Sequence, residues 1–380
     1  MKELSVYIHI PFCDHKCIYC DFYSIIHDDK RKEFLSALSR EIDFYASQLS
    51  SNYNVRTIFF GGGTPSLLSP SEIENIISQL ENKIGFCNEL EVTLETNPGT
   101  VSKDKLKGFL GAGINRLSLG VQSFDDSELK FLTRIHNSEE AKLTVYDARD
   151  AGFKNISIDL IFNLPGQSKD KWITNLANAV ELPIDHISAY SLILERGTIL
   201  NKMVIDGKVK ISDADFDAEL YETTIDFLTN AGFQQYEVSN FAKPGKECIH
   251  NLAYWSYKDY LGIGPSAHSF IGSKRWWNFS PLNYYLRAID DEGSAKRGEE
   301  TLSKLEKLEE YVMLTLRSTG LNLEEVNKLF GNSWFNSNKT LIDQLLSDGY
   351  IIQKDNLIKF TPKGYSLCDE ILLKFNYNLE

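Results

Sequence analysis

The sequence predicts an α/β protein: a partial barrel of six parallel β/α units, followed by a small, mainly α-helical segment with a winged-helix pattern. Two observations carry that reading. Between residues 5 and 193, short apolar runs of strand length alternate with amphipathic stretches of helical period, and strand alternating with helix implies parallel βαβ units. Only six such units occur, too few for a closed eight-stranded barrel. Residues 301–380 change character, reading as three helices and a hairpin.

Taken in order, the expected strands are 5–10, 56–61, 91–96, 116–121, 155–162 and 186–193. The expected helices between them are 30–49, 70–83, 103–111, 138–151 and 169–180, each with apolar residues recurring on one face. In the C-terminal part, 302–316, 323–330 and 339–348 read as helices, and 349–360 as a hairpin turning at Asp355-Asn356.

A chain of 380 residues exceeds one small core, so the expected division is a barrel over 1–235, a linking region over 236–300 and a C-terminal domain over 301–380. No apolar run approaches the roughly 20 residues that cross a bilayer. The first strand follows Met1-Lys2-Glu3-Leu4 so closely that no signal peptide is expected, which points to the cytoplasm, where thiols stay reduced. The net charge of −13 argues against nucleic acid. Residues 301–380 hold nine Lys/Arg against eleven Asp/Glu, net −2, so the winged-helix pattern reads as a docking or cover domain rather than a DNA reader.

The densest chemistry lies at Cys13, Cys17 and Cys20, spaced C-x3-C-x2-C with no fourth cysteine nearby. Structural zinc wants four ligands; His15 inside the loop offers a Cys3His alternative. A disulfide framework fits poorly, because Cys87, Cys248 and Cys368 stand alone. Three thiolates suit a four-iron four-sulfur (4Fe-4S) cluster, which takes one thiolate per iron and so keeps one iron open.

Functional residues of parallel barrels gather at the C-terminal ends of the strands. There the sequence places Gly61-Gly62-Gly63-Thr64-Pro65, Glu95-Thr96-Asn97-Pro98 and Gly120-Val121-Gln122-Ser123. Glycines let backbone amides approach a ligand, although a tight turn explains them nearly as well. Asp159 sits inside an apolar strand, where a carboxylate needs a partner. Arg134 reads equally as a site residue or a solvated surface arginine. His250-Asn251-Leu252-Ala253-Tyr254-Trp255 offers imidazole and flat aromatic surface to a porphyrin; its plain alternative is a hydrogen-bonded core histidine beside packed aromatics.

The cysteine spacing, with the aromatic Tyr19 just before Cys20, resembles the signature of the radical S-adenosylmethionine (SAM) enzymes. In those enzymes the open iron is chelated by the methionine amino and carboxylate groups, and the sulfonium is cleaved reductively to a 5′-deoxyadenosyl radical. Tyr7-Ile8-His9-Ile10-Pro11-Phe12-Cys13, the strand-end motifs above and Asn163-Leu164-Pro165-Gly166-Gln167 together resemble the oxygen-independent coproporphyrinogen III oxidase family, over nearly the whole chain. The resemblance implies SAM contact by Tyr7, Tyr19, Gly62, Gly63, Thr64 and Glu95, with a second cofactor-like site lined by Gln122, Arg134 and Asp159.

Two features lean away from the oxidases and towards the heme-chaperone branch. Phe22 stands where the oxidases carry a fourth cysteine, and the chain begins only a few residues before the first strand, without their N-terminal extension. In that branch, H-N-x-x-Y-W implies heme contact by His250, Asn251, Tyr254 and Trp255; from the residues alone, His268 in its glycine-rich turn is a second candidate, and Cys248 reads as an inert buried thiol, with a thiolate ligand or a site of covalent attachment as the alternatives. The implied function is a carrier of cluster, SAM and heme that hands heme to an acceptor protein, as monomer or homodimer. The alternative is a radical decarboxylase of porphyrinogen propionates.

Overall fold

The computed structural model describes residues 1–26 and 29–377. Six parallel strands follow chain order: β1 (Lys2–Ile10), β2 (Tyr53–Gly62), β3 (Phe86–Thr96), β4 (Arg116–Gln122), β5 (Ile156–Phe162) and β6 (His186–Ser191). Joining them are α1 (Arg31–Leu49), α2 (Pro70–Lys83), α3 (Lys103–Gly111), α4 (Asp126–Phe131), α5 (Ser138–Ala151) and α6 (Lys169–Glu181). Local chemistry fixes the helix ends. Ser69 with Glu72, and Asn137 with Glu140, close capping boxes on α2 and α5, and Gly152 stops α5 at φ 112°. The sixth strand stops at Ser191, short of the expected 193, because its β5 partner ends at Phe162.

Strand parity divides the side chains. Leu4, Val6, Ile8 and Ile10 of β1, Leu117, Leu119 and Val121 of β4, and Ile156, Ile158, Leu160 and Phe162 of β5 all enter one apolar core beneath the helices. The alternate residues face the other way and are largely polar: Glu91, Thr93 and Glu95 of β3, Arg116 and Ser118 of β4, Ser157 and Asp159 of β5, His186 and Ser188 of β6.

The sheet continues beyond the six parallel strands. After α7 (Ile199–Ile205) and α8 (Ala214–Asn230), β7 (Gln234–Gln235) and β8 (Asn240–Ala242) pair antiparallel at the β6 edge. Beyond α9 (Ile249–Trp255), β9 (Tyr260–Ile263) pairs parallel with β1. Next come β10 (His268–Ile271) and β11 (Lys274–Asn278), then α10 (Leu282–Glu292) and β12 (Lys296–Thr301), the three strands antiparallel. The result is a 12-stranded sheet in the order β12-β11-β10-β9-β1-β2-β3-β4-β5-β6-β8-β7.

A second core, from Leu308 to Phe375, belongs to the C-terminal elements. These are α11 (Lys304–Leu316), β13 (Leu321–Asn322), α12 (Leu323–Phe330), α13 (Ser333–Ser347), β14 (Ile351–Lys354), β15 (Leu357–Phe360), α14 (Pro362–Ser366) and α15 (Cys368–Leu372). The order helix, strand, two helices, hairpin is a winged-helix arrangement, with Asp355 in the left-handed region at the hairpin turn (φ 54°). The α13 helix begins earlier than the expected 339, because fully buried Trp334 anchors its first turn.

One buried acid ties the added strands to the barrel. Glu41 on α1 accepts from Gly264 N (2.8 Å), Asn278 Nδ2 (2.7 Å) and the Tyr285 hydroxyl (2.7 Å). Burial outweighs these donors and pushes its carboxyl up from 4.5 to about 7. Between those values the native state holds a proton that the unfolded chain has lost. The associated stability is therefore present below pH 4.5 and disappears as pH rises through 7, a change of about 3 kcal/mol. Glu41→Gln, which cannot ionise, should lose about that much less stability than the wild type between pH 4.5 and 7.5 in urea unfolding. Parallel losses in the two proteins would refute this account.

Candidate functional site

The cysteine loop leaves β1 at Ile10 and is cinched at its base. Cys13 N donates to Ile25 O (2.9 Å) and Ile25 N to Pro11 O (2.7 Å), while Gly63 N and Thr64 N at the end of β2 reach Ile10 O (2.8 Å) and Phe12 O (2.7 Å). A Cβ on Gly63 would lie 2.6 Å from Phe12 O and 3.0 Å from Cys13 Sγ, so only glycine lets β2 and the loop meet. The loop's far side is tied down by Ile18, whose N donates to Thr133 Oγ1 (3.2 Å) and whose carbonyl accepts from Leu200 N (2.9 Å).

Cys13, Cys17 and Cys20 are free, half-buried and line one cavity of about 380 Å³. Thr64 Oγ1 donates to Cys13 Sγ and Arg134 Nη1 to Cys17 Sγ, each at 3.5 Å. Burial pushes the Cys20 thiol up to about 11 and raises that of Cys13, so coordination by a metal would be what makes them thiolates. His15 lines the same cavity, but among the described residues no three His, Cys, Asp or Glu side chains converge closely enough to hold a single metal ion. Three free thiols lining one cavity fit a 4Fe-4S cluster, which takes one thiolate per iron.

Behind the cysteines the cavity runs onto the polar inner face of the sheet, where Gly62, Gly63, Thr64, Glu95, Gln122, Arg134 and Asp159 meet. Gly62, at φ 109°, donates its N–H to Glu95 Oε2 (3.2 Å), and a Cβ there would lie 2.6 Å from the His9 ring. Burial, reinforced by the Asp159 charge, pushes Glu95 up to about 8. Burial also raises Asp159, against donors from Ser188 and Ser118 and the charge of Arg116. Arg134 is no surface arginine: Nη2 donates to Asn97 Oδ1 (2.6 Å) and Gly120 O (2.7 Å), while Nε has no partner. Gly120 makes room for Gln122 and Asn97, because a Cβ there would stand 2.9 Å from Gln122 Nε2 and 3.2 Å from Asn97 Oδ1.

A second cavity of about 650 Å³ adjoins the first, with Asp21 and Phe22 lining both. Its walls are aromatic: Tyr7, Tyr23, Phe59, Tyr254, Tyr257, Tyr260 and Phe270. Arg275 and Lys258 add cationic groups, and Glu310, Met313 and Leu314 bring α11 across one side. Glu310 fixes that helix by accepting from Arg275 Nη1 (2.8 Å) and Nη2 (2.6 Å) and from the Tyr257 hydroxyl (2.9 Å).

The His250 motif forms α9, which closes the concave face of the sheet. Glu91, at the start of the inner row of β3, accepts from Ile249 N (3.1 Å) and His250 N (2.9 Å). The buried His250 ring uses both nitrogens, Nδ1 with Thr57 Oγ1 (2.7 Å) and Nε2 with the Tyr254 hydroxyl (2.8 Å). Desolvation, aided by the Arg116 charge, lowers it to about 3, so it stays neutral. His250, Asn251 and Tyr254 line the second cavity; Trp255 does not. Cys248 is fully buried, with its thiol 3.6 Å from Glu91 Oε1.

The structure thus brings together Cys13, Cys17, Tyr19, Cys20, Gly62, Gly63, Thr64, Glu95, Gln122, Arg134 and Asp159. Tyr7, grouped with them in the sequence reading, faces the second cavity instead, with Gly61 between it and Glu95: a Cβ there would sit 2.9 Å from Tyr7 and 3.2 Å from Glu95. Sequence reasoning passed over Asn97, although its motif was in view, and Ser118 and Tyr190, whose signal is only their parity with Arg116 and Asp159. It also passed over Tyr257, Tyr260, Phe270 and Arg275, which form no motif.

Comparison with known proteins agrees with this architecture. Residues 7–177 match the model of the Radical SAM superfamily, and residues 302–367 that of the HemN C-terminal domain. The heme chaperone HemW of Bacillus subtilis (strain 168) is 35% identical over 374 residues, covering 98% of both chains. The mitochondrial radical S-adenosyl methionine domain-containing protein 1 of Danio rerio is 34% identical over 399 residues, covering 100% of this chain and 88% of its own. Among solved structures, coproporphyrinogen III oxidase (HemN) from Escherichia coli superposes with a TM-score of 0.84 at 26% identity, covering 98% of this chain and 89% of that one. A likeness that runs end to end through barrel, cysteine loop and C-terminal domain makes this chain a member of the HemW family within the radical SAM superfamily.

Proposed function

We propose that the protein is a heme carrier that holds a 4Fe-4S cluster and SAM in the first cavity, binds heme in the second, and passes heme to an acceptor protein. The observation that carries this reading is the second cavity itself. Its volume lies within the range of ligand sites, its walls are aromatic, and Lys258 adds a cationic group that no carboxylate pairs among the described residues. The names of relatives similar over the full length, heme chaperones, support it.

In this reading Cys13, Cys17 and Cys20 ligate the cluster, and Tyr19, Gly62, Gly63, Thr64, Glu95, Gln122, Arg134 and Asp159 surround SAM, with Tyr7 behind Gly61. When bound, that pair supplies one-electron reduction and a source of an adenosyl radical. The chain's own contribution is positional. Thr64 and Arg134 steady two of the sulfurs, Gly62 and Gly63 bring backbone close to the ligand, and Arg134 holds β3 and β4 together through Asn97 and Gly120. In the second cavity His250, Asn251 and Tyr254 line the wall, with Trp255 next to them in the motif, and Lys258 offers charge to propionates, Arg275 being held by Glu310. The carrier is proposed to work in the cytoplasm; its acceptor is a heme-binding protein.

A second reading, oxidative decarboxylation of a porphyrinogen, is favoured by the structural likeness to HemN. Anaerobic incubation with coproporphyrinogen, reductant and SAM separates the two: the carrier reading expects no decarboxylated product, and turnover would replace it. Purified protein should take up one heme per chain, and His250→Ala should weaken uptake several-fold while the reconstituted cluster keeps its visible absorbance. Heme uptake that is absent, or unrelated to changes in the second cavity, would remove the carrier reading. Cys17→Ser should abolish the cluster's absorbance, and a full cluster in that variant would mean that the ligands are misassigned. Gly62→Ala, whose Cβ must displace the His9 ring, should lower SAM affinity by at least about tenfold in equilibrium dialysis, a loss of about 1.4 kcal/mol.

A further inference from the structure

We infer that His268, rather than the motif histidine His250, supplies the protein's axial ligand to heme iron in the second cavity; the inference rests on the carrier reading above. Axial ligation needs an imidazole nitrogen with a free lone pair facing the porphyrin. Both His250 nitrogens are hydrogen-bonded, to Thr57 and Tyr254, and its ring is buried against Phe59 at a centroid distance of 5.1 Å. Bringing it to iron would break at least one of those bonds and leave a buried hydroxyl without its partner. His268 is different. It lines the same cavity, is exposed, and neither ring nitrogen has a hydrogen-bond partner among the described residues.

Its surroundings also prepare it for the role. The imidazole stacks on Trp277 across the β10–β11 pair, with centroids 6.1 Å apart and planes at 27°. The backbone that carries it is held on both sides. Before it, Gly264 at φ 100° donates to Glu41 and accepts from Asn278 Nδ2 (2.9 Å), packed so that a Cβ would fall 2.6 Å from His9 O. After it, Ser269 Oγ accepts from Gly262 N (2.9 Å), and Gly262 lies so close to the His268 carbonyl that a Cβ would approach it to 2.1 Å. An exposed side chain on so constrained a backbone is arranged for a ligand. Partial burial and the nearby Arg275 charge lower its pKa, so the nitrogen is unprotonated near neutrality. It donates a lone pair into the iron, with no proton released and no electron transferred.

The test is an absorbance titration of the full-length protein with hemin and, in parallel, with iron-free protoporphyrin IX. His268→Ala should weaken hemin binding by at least about tenfold, shift the Soret band and leave protoporphyrin binding within about twofold of wild type. Added imidazole should restore the wild-type spectrum. His250→Ala should retain the wild-type Soret position even where its affinity falls. An unchanged hemin spectrum in His268→Ala, or a spectrum lost only in His250→Ala, overturns the assignment while leaving the carrier intact. Equal losses for hemin and protoporphyrin in His268→Ala would make the residue a wall of the cavity and also overturn it. A wild-type protein that binds neither porphyrin overturns the carrier reading itself.

Discussion

Everything distinctive about this molecule follows from the way its parallel strands divide their side chains. Strands buried on both faces usually read as unbroken apolar runs, but here one residue in two is polar and points into the concave face. In register, Thr57 lies beside Glu91, Glu95 beside Ser118, Ser157 beside His186, and Asp159 beside Ser188. These groups are largely out of water, so each must find a partner or change its protonation. The concave face is therefore both the least comfortable part of the fold and the part that can hold charged ligands.

The fold meets that demand differently at the two ends of the strands. At their beginnings it is met largely within the protein: Glu91 receives the first amides of α9, Thr57 and Tyr254 occupy His250, and Ser157 and Tyr236 occupy His186, although Arg116 Nε is left without a partner. At their ends it is met only in part. Arg134 keeps an unpartnered Nε, Thr96 an unpartnered hydroxyl, and Glu95 is raised towards neutrality by burial and by Asp159. Polar groups short of partners thus stand beside the three free thiols.

The second cavity has another origin. It is lined by side chains of β1 and β2 and of the strands β9–β11 paired beside them, and α11 of the C-terminal domain closes one side. Its aromatic walls come from segments far apart in the chain, held by long-range bonds such as those of Glu41 to Gly264 and Glu310 to Arg275. Phe22, 63% exposed, lines both cavities. The phenyl ring at that position thus bears on the second cavity as much as on the cysteine loop.

The sequence by itself determined what depends on neighbours along the chain. Helical and strand periods located the six β/α units, because amphipathicity is a local pattern, and C-x3-C-x2-C marked the cysteine loop, because its donors are seven residues apart at most. Glu95 and Gln122 were legible because strand ends carry the site in parallel barrels, and Asp159 because a carboxylate inside an apolar strand needs a partner. Tertiary structure decided the rest. The short strands of 236–300 have too few residues to show a period, so their joining of the main sheet was invisible. His250, prominent as a motif, turned out to be bonded at both nitrogens by Thr57 and Tyr254. His268, with no motif beyond a glycine-rich turn, emerged with its ring free over the cavity. Which histidine has a spare lone pair depends on contacts up to 193 residues apart, and no local pattern records them.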